Sequence, residues 1–252
     1  MLKKRIIPVQ LLMNDRLVKT AKFDTHRDVG DPVASSRVYN SQYADELVFL
    51  NINRKNRSVN TLLALIEKVS EVCFMPLSFG GGIVKLEDAE QLIKNGADKV
   101  IVNSSNYENK NLITQIADKF GAQAAIASID ARFENGEYVL HSNCGTKREN
   151  VSLENHVKDL IERGAGEIFI NSIDRDGTMT GYDLGLISRV MKCASVPVIA
   201  CGGAGTYEHM KLAFLETRVS ALACGSLFNF GDNNPIRAKA FLSNYDLNFK
   251  KV

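Results

Sequence analysis

The chain of 252 residues has no tryptophan, no large excess of either charge and no apolar run long enough to cross a bilayer. The lack of tryptophan argues against a carbohydrate-stacking module. The formal net charge is only +2, and no basic block or aromatic-basic interleaving appears, so a nucleic-acid partner is not expected. The five cysteines are odd in number and no two are spaced C-x-x-C, which argues against a disulfide framework or a zinc site and fits a reducing cytoplasm. The four histidines, read as lying in loops or helices, form no H-x-x-x-H or His/Cys cluster, so no metal is expected. An apolar run from Ile6 to Met13 follows Lys3, Lys4 and Arg5. It is short for a signal peptide and far too short for a membrane span, and it reads as a first buried strand.

What is present is a regular alternation. Apolar residues make up 45% and charged residues 24%, as in an ordinary globular chain. No Pro/Gly/Ser-rich linker divides residues 1–252, and the length suits one large α/β domain. Eight short apolar runs fall at 6–12, 47–52, 74–79, 100–102, 124–129, 168–173, 196–201 and 221–224. They are apolar nearly throughout, as strands buried on both faces are. Helical patterns lie between them at 59–72, 86–95, 111–120, 152–163, 184–191 and 207–215. A last helix is expected near Asn234, a capping residue followed by Pro235. This is the pattern of a parallel (β/α)8 TIM barrel. Two segments exceed simple connections: 22–33 after strand 1, and 133–150 after strand 5, where Asn135-Gly136 predicts a small hairpin. A weak repeat at about 121 residues relates Ala44–Asn51 to Ala165–Ser172 and the two glycine clusters to each other. It implies two similar half-barrels.

The chemistry falls at the ends of the strands. Gly80-Gly81-Gly82 follows strand 3 and Gly202-Gly203 follows strand 7. Each precedes a helix, where backbone N–H groups and the helix dipole favour an anion. Asn103-Ser104 after strand 4 and Gly225-Ser226 after strand 8 complete two phosphate sites, one on each side of the mouth. A phosphorylated small molecule with a phosphate at each end would fit both. The plainer alternative is that these glycines only make tight turns. Asp130 ends strand 5 and is the candidate acid or base. Asp176-Gly177, after strand 6, reads equally as site or turn. Cys201 ends strand 7 and reads as a small core residue rather than a nucleophile. At the strand starts, Arg5, Glu46, Lys99 and Glu167 alternate in sign and converge on the floor. On sequence alone they read as a stabilising salt-bridge ring, with a gate for a small neutral molecule as the sharper alternative.

Taken together, these motifs resemble the family of cyclase subunits of imidazole glycerol phosphate synthase, the ammonia-using half of a glutamine amidotransferase. The resemblance runs along nearly the whole chain. It is carried by Lys4-Arg5-Ile6-Ile7-Pro8, Gly30-Asp31-Pro32, Asp45-Glu46-Leu47-Val48-Phe49-Leu50, Gly81-Gly82-Ile83, Asp98-Lys99-Val100, Ile129-Asp130-Ala131, Asp174-Arg175-Asp176-Gly177-Thr178 and Gly202-Gly203-Ala204-Gly205. It implies a bisphosphorylated substrate, no cofactor, a heterodimer with a glutaminase docked at the barrel floor, and ammonia rising past a charged gate matching Arg5, Glu46, Lys99 and Glu167. It also implies that Lys19 serves a phosphate and that Asp98 touches the partner.

The departures from the family lie at the mouth. Leu11 stands where the cyclases carry a second catalytic aspartate, and losing one acid/base group costs about 100- to 10,000-fold in rate. Asn51, Asn171 and Cys201 replace residues typical of the family. The altered strand 1 and Leu17-Val18-Lys19-Thr20 resemble the glycosyl amidation-associated (WbuZ-type) branch. The expectation from that branch is a barrel that takes ammonia from a glutaminase homologue and delivers it to a separate sugar amidotransferase, for a surface glycan. The alternative is the histidine-pathway cyclase itself, a lyase forming imidazole glycerol phosphate and an aminoimidazole carboxamide ribotide.

Overall fold

A computed structural model describes residues 3–54 and 58–250. Eight parallel strands pair in chain order: β1 (Arg5–Met13), β2 (Leu47–Asn51), β3 (Leu77–Gly80), β4 (Lys99–Val102), β5 (Ala125–Glu134), β6 (Glu167–Ser172), β7 (Val198–Cys201) and β8 (Ala221–Cys224). β8 pairs back to β1, so the sheet closes into a (β/α)8 barrel with no free edge. The helices outside it are α1 (Pro32–Ser41), α2 (Asn60–Ser70), α3 (Leu86–Lys94), α4 (Leu112–Phe120), α5 (Leu153–Glu162), α6 (Leu184–Cys193), α7 (Tyr207–Thr217) and α8 (Pro235–Leu242). Single helical turns, Ser105–Glu108 and Ser226–Asn229, follow β4 and β8. None of the described helices is long and apolar enough to cross a membrane.

The strands read as continuous apolar runs because they serve two cores. Residues such as Ile6, Leu47, Phe49, Phe79 and Ile168 point outward and pack under the helices. Ile7, Val9, Val48, Ile101, Ile126, Phe169 and Ile199 point inward and fill the bore. The two-residue period of each strand then builds layers inside the barrel. Arg5, Glu46, Lys99 and Glu167 lie below the apolar bore. Leu11, Leu50, Asn103, Asp130, Asn171 and Cys201 lie above it and line the mouth.

Several boundaries differ from the sequence expectation. The run 74–79 does not begin as strand. Phe74 is 83% exposed and β3 starts at Leu77. The strand starts after Pro76, and β7 likewise starts after Pro197, because neither proline has an N–H for the ladder. Both prolines instead accept from the neighbouring strand, Pro76 from Leu47 N and Pro197 from Ile168 N. The segment 22–33 is not a plain loop. It contains one arm (His26–Gly30) of a hairpin whose other arm, Arg16–Thr20, pairs antiparallel with the end of β1.

The expected hairpin after β5 is present. Asn135 and Gly136 both have positive φ, and Glu137–Ser142 pairs back along β5. The terminal helix starts as expected, with Asn234 Oδ1 accepting from Arg237 N at 2.9 Å. The histidines need correction. His26 and His141 sit on hairpin arms, and His141 pairs across from Asp130. The His141 ring meets Glu134 Oε1 at 3.0 Å and does not line the mouth.

Candidate active site at the barrel mouth and the charged ring below it

One cavity of about 830 Å³ opens at the C-terminal ends of the strands. It is lined by every mouth residue expected from the sequence: Lys19, Gly81, Gly82, Asn103, Ser104, Asp130, Asp176, Gly177, Gly202, Gly203, Gly225 and Ser226. The barrel thus gathers groups that are up to 207 residues apart, from Lys19 to Ser226, into one pocket.

The glycines are needed for more than one reason. Gly81 has φ +92°, and a Cβ there would sit 2.1 Å from Asn51 O. Gly203 has φ +101°, and a Cβ would sit 2.1 Å from Gly181 O. Both contacts are with backbone of the neighbouring loop, so these glycines are required by loop packing whether or not an anion binds. Gly225 is different. A Cβ there would meet Lys19 Nζ at 2.5 Å. Lys19 lies buried against this glycine, its Nζ donating to Val9 O at 2.5 Å. Burial lowers its amine to about 8, against weaker opposing effects from Cys201, Asp176 and Cys224. Among the described residues no carboxylate forms a salt bridge with it. The two single turns at the mouth, after Ser104 and after Gly225, also lack side-chain caps, whereas α1, α5, α6, α7 and α8 each have one. Their first N–H groups are therefore not taken up by a capping side chain.

Asp130 is 8% exposed and its Oδ2 accepts from Asn103 Nδ2 at 2.8 Å. Burial pushes its carboxyl up to about 7. The Asn103 hydrogen bond opposes that shift and the charge of Asp176 adds to it. Asp176 is also raised by burial, but its Oδ2 is engaged by Thr20 Oγ1 at 2.6 Å and Phe23 N at 3.2 Å. Asp176 lines the mouth, and its carboxylate also has a structural role. It ties the β6 loop to the hairpin after β1. Cys201 lines the mouth with its thiol pushed up to about 12 by burial, so it is not a thiolate.

Leu11 faces the mouth and packs against the apolar bore. It stands in register with Leu50 on β2, while Asp130 stands in register with Asn171 on β6. Asn51 lines the mouth as expected, and its side chain is also tied to its own loop. It accepts from Asn53 N at 3.0 Å and donates to Thr61 Oγ1 at 3.2 Å. Sequence reasoning missed Arg54, whose guanidinium donates to Phe23 O at 2.8 Å and Cys144 O at 3.2 Å. It joins three loops at the rim, and no local motif signals it.

At the other end the four charged residues form a closed ring. Arg5 reaches Glu46 and Glu167 at 2.5 Å each, and Lys99 reaches them at 3.0 and 2.5 Å. Each cation bridges both anions, so the ring is neutral and largely buried. Burial opposes the charge on Glu167, but the Arg5 hydrogen bond and the nearby Arg5 and Lys99 charges lower its carboxyl overall. Beside the ring a second buried pair was not foreseen: Lys239 Nζ to Asp45 Oδ1 at 2.7 Å. It joins α8 to the floor, and Asp45 Oδ2 also accepts from Ile6 N at 2.8 Å. Asp98 lies exposed on the same face, with Oδ2 accepting from Leu77 N at 2.8 Å.

The chain is a closed (β/α)8 barrel with repeat-related glycine loops around one acid-bearing mouth, an architecture in which phosphate sites recur. Comparison with known proteins narrows that class. A family model described as "Histidine biosynthesis protein" matches residues 5–234. A relative from Alkaliphilus metalliredigens is 40% identical over 252 residues, covering 100% of both chains. One from Thermotoga sp. is 42% identical over 250 residues, covering 99% of this chain and 98% of its own. Both are named imidazole glycerol phosphate synthase subunit HisF. The chain belongs to this histidine biosynthesis family. The comparisons carry the family, while the glycan-amidation branch rests on residue 11 and its neighbours alone.

Proposed function

We propose that the chain is the ammonia-using, ring-closing subunit of an imidazole glycerol phosphate synthase. One observation carries the reading: both repeat-related phosphate loops and Asp130 line a single cavity at one end of an apolar bore, with a closed charged ring at the other end. The names of the full-length relatives support it. Lys19, Gly202, Gly203, Gly225 and Ser226 hold one phosphate of the substrate. Gly81, Gly82, Asn103 and Ser104 hold the other. Asp130 moves the proton at the reacting centre, and burial keeps its carboxyl poised near neutrality, where it can both give and take a proton. No cofactor enters this chemistry. A glutaminase docks at the floor, where Asp98 is exposed, as the other half of a heterodimer. Ammonia passes Arg5, Glu46, Lys99 and Glu167 as they part, then rises through the apolar bore. Calorimetric titration with a ribulose bisphosphate tests the mouth. The reading expects one saturable site weakened by Lys19→Ala, and no heat in a folded protein would contradict it.

Leu11 favours a second reading. With one mouth aspartate absent, the barrel would deliver ammonia onward to a separate sugar amidotransferase instead of closing a ring. The floor and the bore serve both readings alike. They part only at the fate of ammonia in the mouth.

A further inference from the structure

The top of the bore carries hydrogen-bond acceptors that no donor among the described residues satisfies. Asn103 Oδ1 and Asn171 Oδ1 are buried and have no partner among the described residues. Asn171 is 7% exposed and stands in register beside Asp130 on the neighbouring strand. Asn103 touches the other side of that carboxylate through Nδ2. Asp130 makes no salt bridge among the described residues. Buried acceptors without donors are rare in folded proteins and point to a missing partner. Below them on the same three strands, Ile101, Ile126 and Phe169 are apolar, and the buried Ser128, in register with Phe169, adds a hydroxyl. A small polar molecule leaving the bore therefore meets these amide oxygens and this carboxylate.

We infer that Asn103, Asp130 and Asn171 form a receiving site for an ammonium ion at the head of the bore. The missing partner must bring N–H donors and tolerate an adjacent carboxylate. Ammonium has four N–H bonds, a positive charge and no lone pair. Two amide oxygens and a carboxylate oxygen can take three of its protons. On arrival ammonia takes a proton there, and on use it returns one, with Asp130 as the exchanging group: NH4+ and carboxylate give NH3 and carboxylic acid. No atom or electron is left over. Asn171 is the distinguishing residue, because Leu50 occupies the equivalent place in the other half-barrel and supplies no acceptor. The site rests on the reading that ammonia reaches the mouth, but it applies to both fates of that ammonia.

The test is a binding experiment on the intact chain without substrate or glutaminase, so failure of ring closure leaves its readout untouched. The side-chain amide signals of Asn103 and Asn171 are followed by NMR while ammonium chloride is added, with potassium chloride and tetramethylammonium chloride as matched controls. Both signals should shift saturably with ammonium only. Asn171→Leu should weaken the apparent affinity about tenfold, the scale of losing one charged hydrogen bond. Asn171→Asp, which keeps an acceptor and adds charge, should strengthen it. No saturable shift, or equal shifts with potassium or tetramethylammonium, would overturn the assignment.

Discussion

Asp130 and Asn171 stand in register on adjacent strands at the mouth, across the barrel from Leu11 and Leu50, which stand in register on β1 and β2. The two half-barrels share a backbone plan and have diverged in this layer. One side is polar and the other apolar.

That divergence leaves Asp130 buried without a second mouth carboxylate on β1, and its titration follows. Its carboxyl is raised from 3.8 to about 7 in the fold, chiefly by burial. Between those values the folded chain holds a proton that the unfolded chain releases. The group therefore costs no stability below about pH 4, costs progressively more up to about pH 7, and a constant amount above. Asp130→Asn should abolish activity yet raise stability at pH 8 by about 2 kcal/mol or more, an advantage that fades towards pH 4. Denaturant unfolding at the two pH values measures it. A variant no more stable than the wild type at pH 8 would contradict the burial argument.

The floor ring gives a coupling prediction. Lys99→Ala removes one bridge between Glu46 and Glu167 and leaves both on Arg5. Loss of one partner from a buried ion-pair network costs about 3 kcal/mol. The variant should fold less stably and still form product from ammonium salt. With glutamine and the glutaminase, glutamate release should exceed product formation. Unchanged stoichiometry would remove the gate.

The glycine loops divide into two kinds. Gly225→Ala meets only the end of the Lys19 side chain, at 2.5 Å, so the chain should fold and bind phosphate about tenfold more weakly. Gly81→Ala meets backbone at 2.1 Å with φ +92° and should cost about 2 kcal/mol or more in stability. Thermal melts with and without inorganic phosphate separate the two. Similar melts and similar phosphate protection for both variants would show that Gly225 has no special place beside an anion.

Much of this was legible in the sequence because the barrel enforces simple periods. Strands buried on both faces read as apolar runs, and charges at strand starts landed together on the floor. The exchange at position 11 was also visible. What escaped depends on contacts between distant elements. The Asp45–Lys239 pair joins residues 194 apart and carries no local pattern. Asn51 lines the mouth as read, but the β2 residue packed against the bore beside Leu11 is Leu50, since one residue changes the face of a strand. By contrast the helix after strand 1, expected beyond residues 22–33, has a start that carries a readable signal. Asp31 caps it at 2.7 Å ahead of Pro32, the same cap-and-proline pair read correctly at Asn234-Pro235.

The central claim is that this barrel closes the imidazole ring with Asp130 as its principal mouth acid/base. The direct measurement supplies ammonium salt at alkaline pH and the bisphosphorylated aminoimidazole substrate, and follows imidazole glycerol phosphate in the wild type, Asp130→Asn and Leu11→Asp. The account predicts slow formation by the wild type, none by Asp130→Asn, and a gain of about 100-fold or more in Leu11→Asp. No product from a folded wild-type chain that still stimulates its glutaminase would contradict it, and would assign the barrel to delivering ammonia for chemistry on another protein.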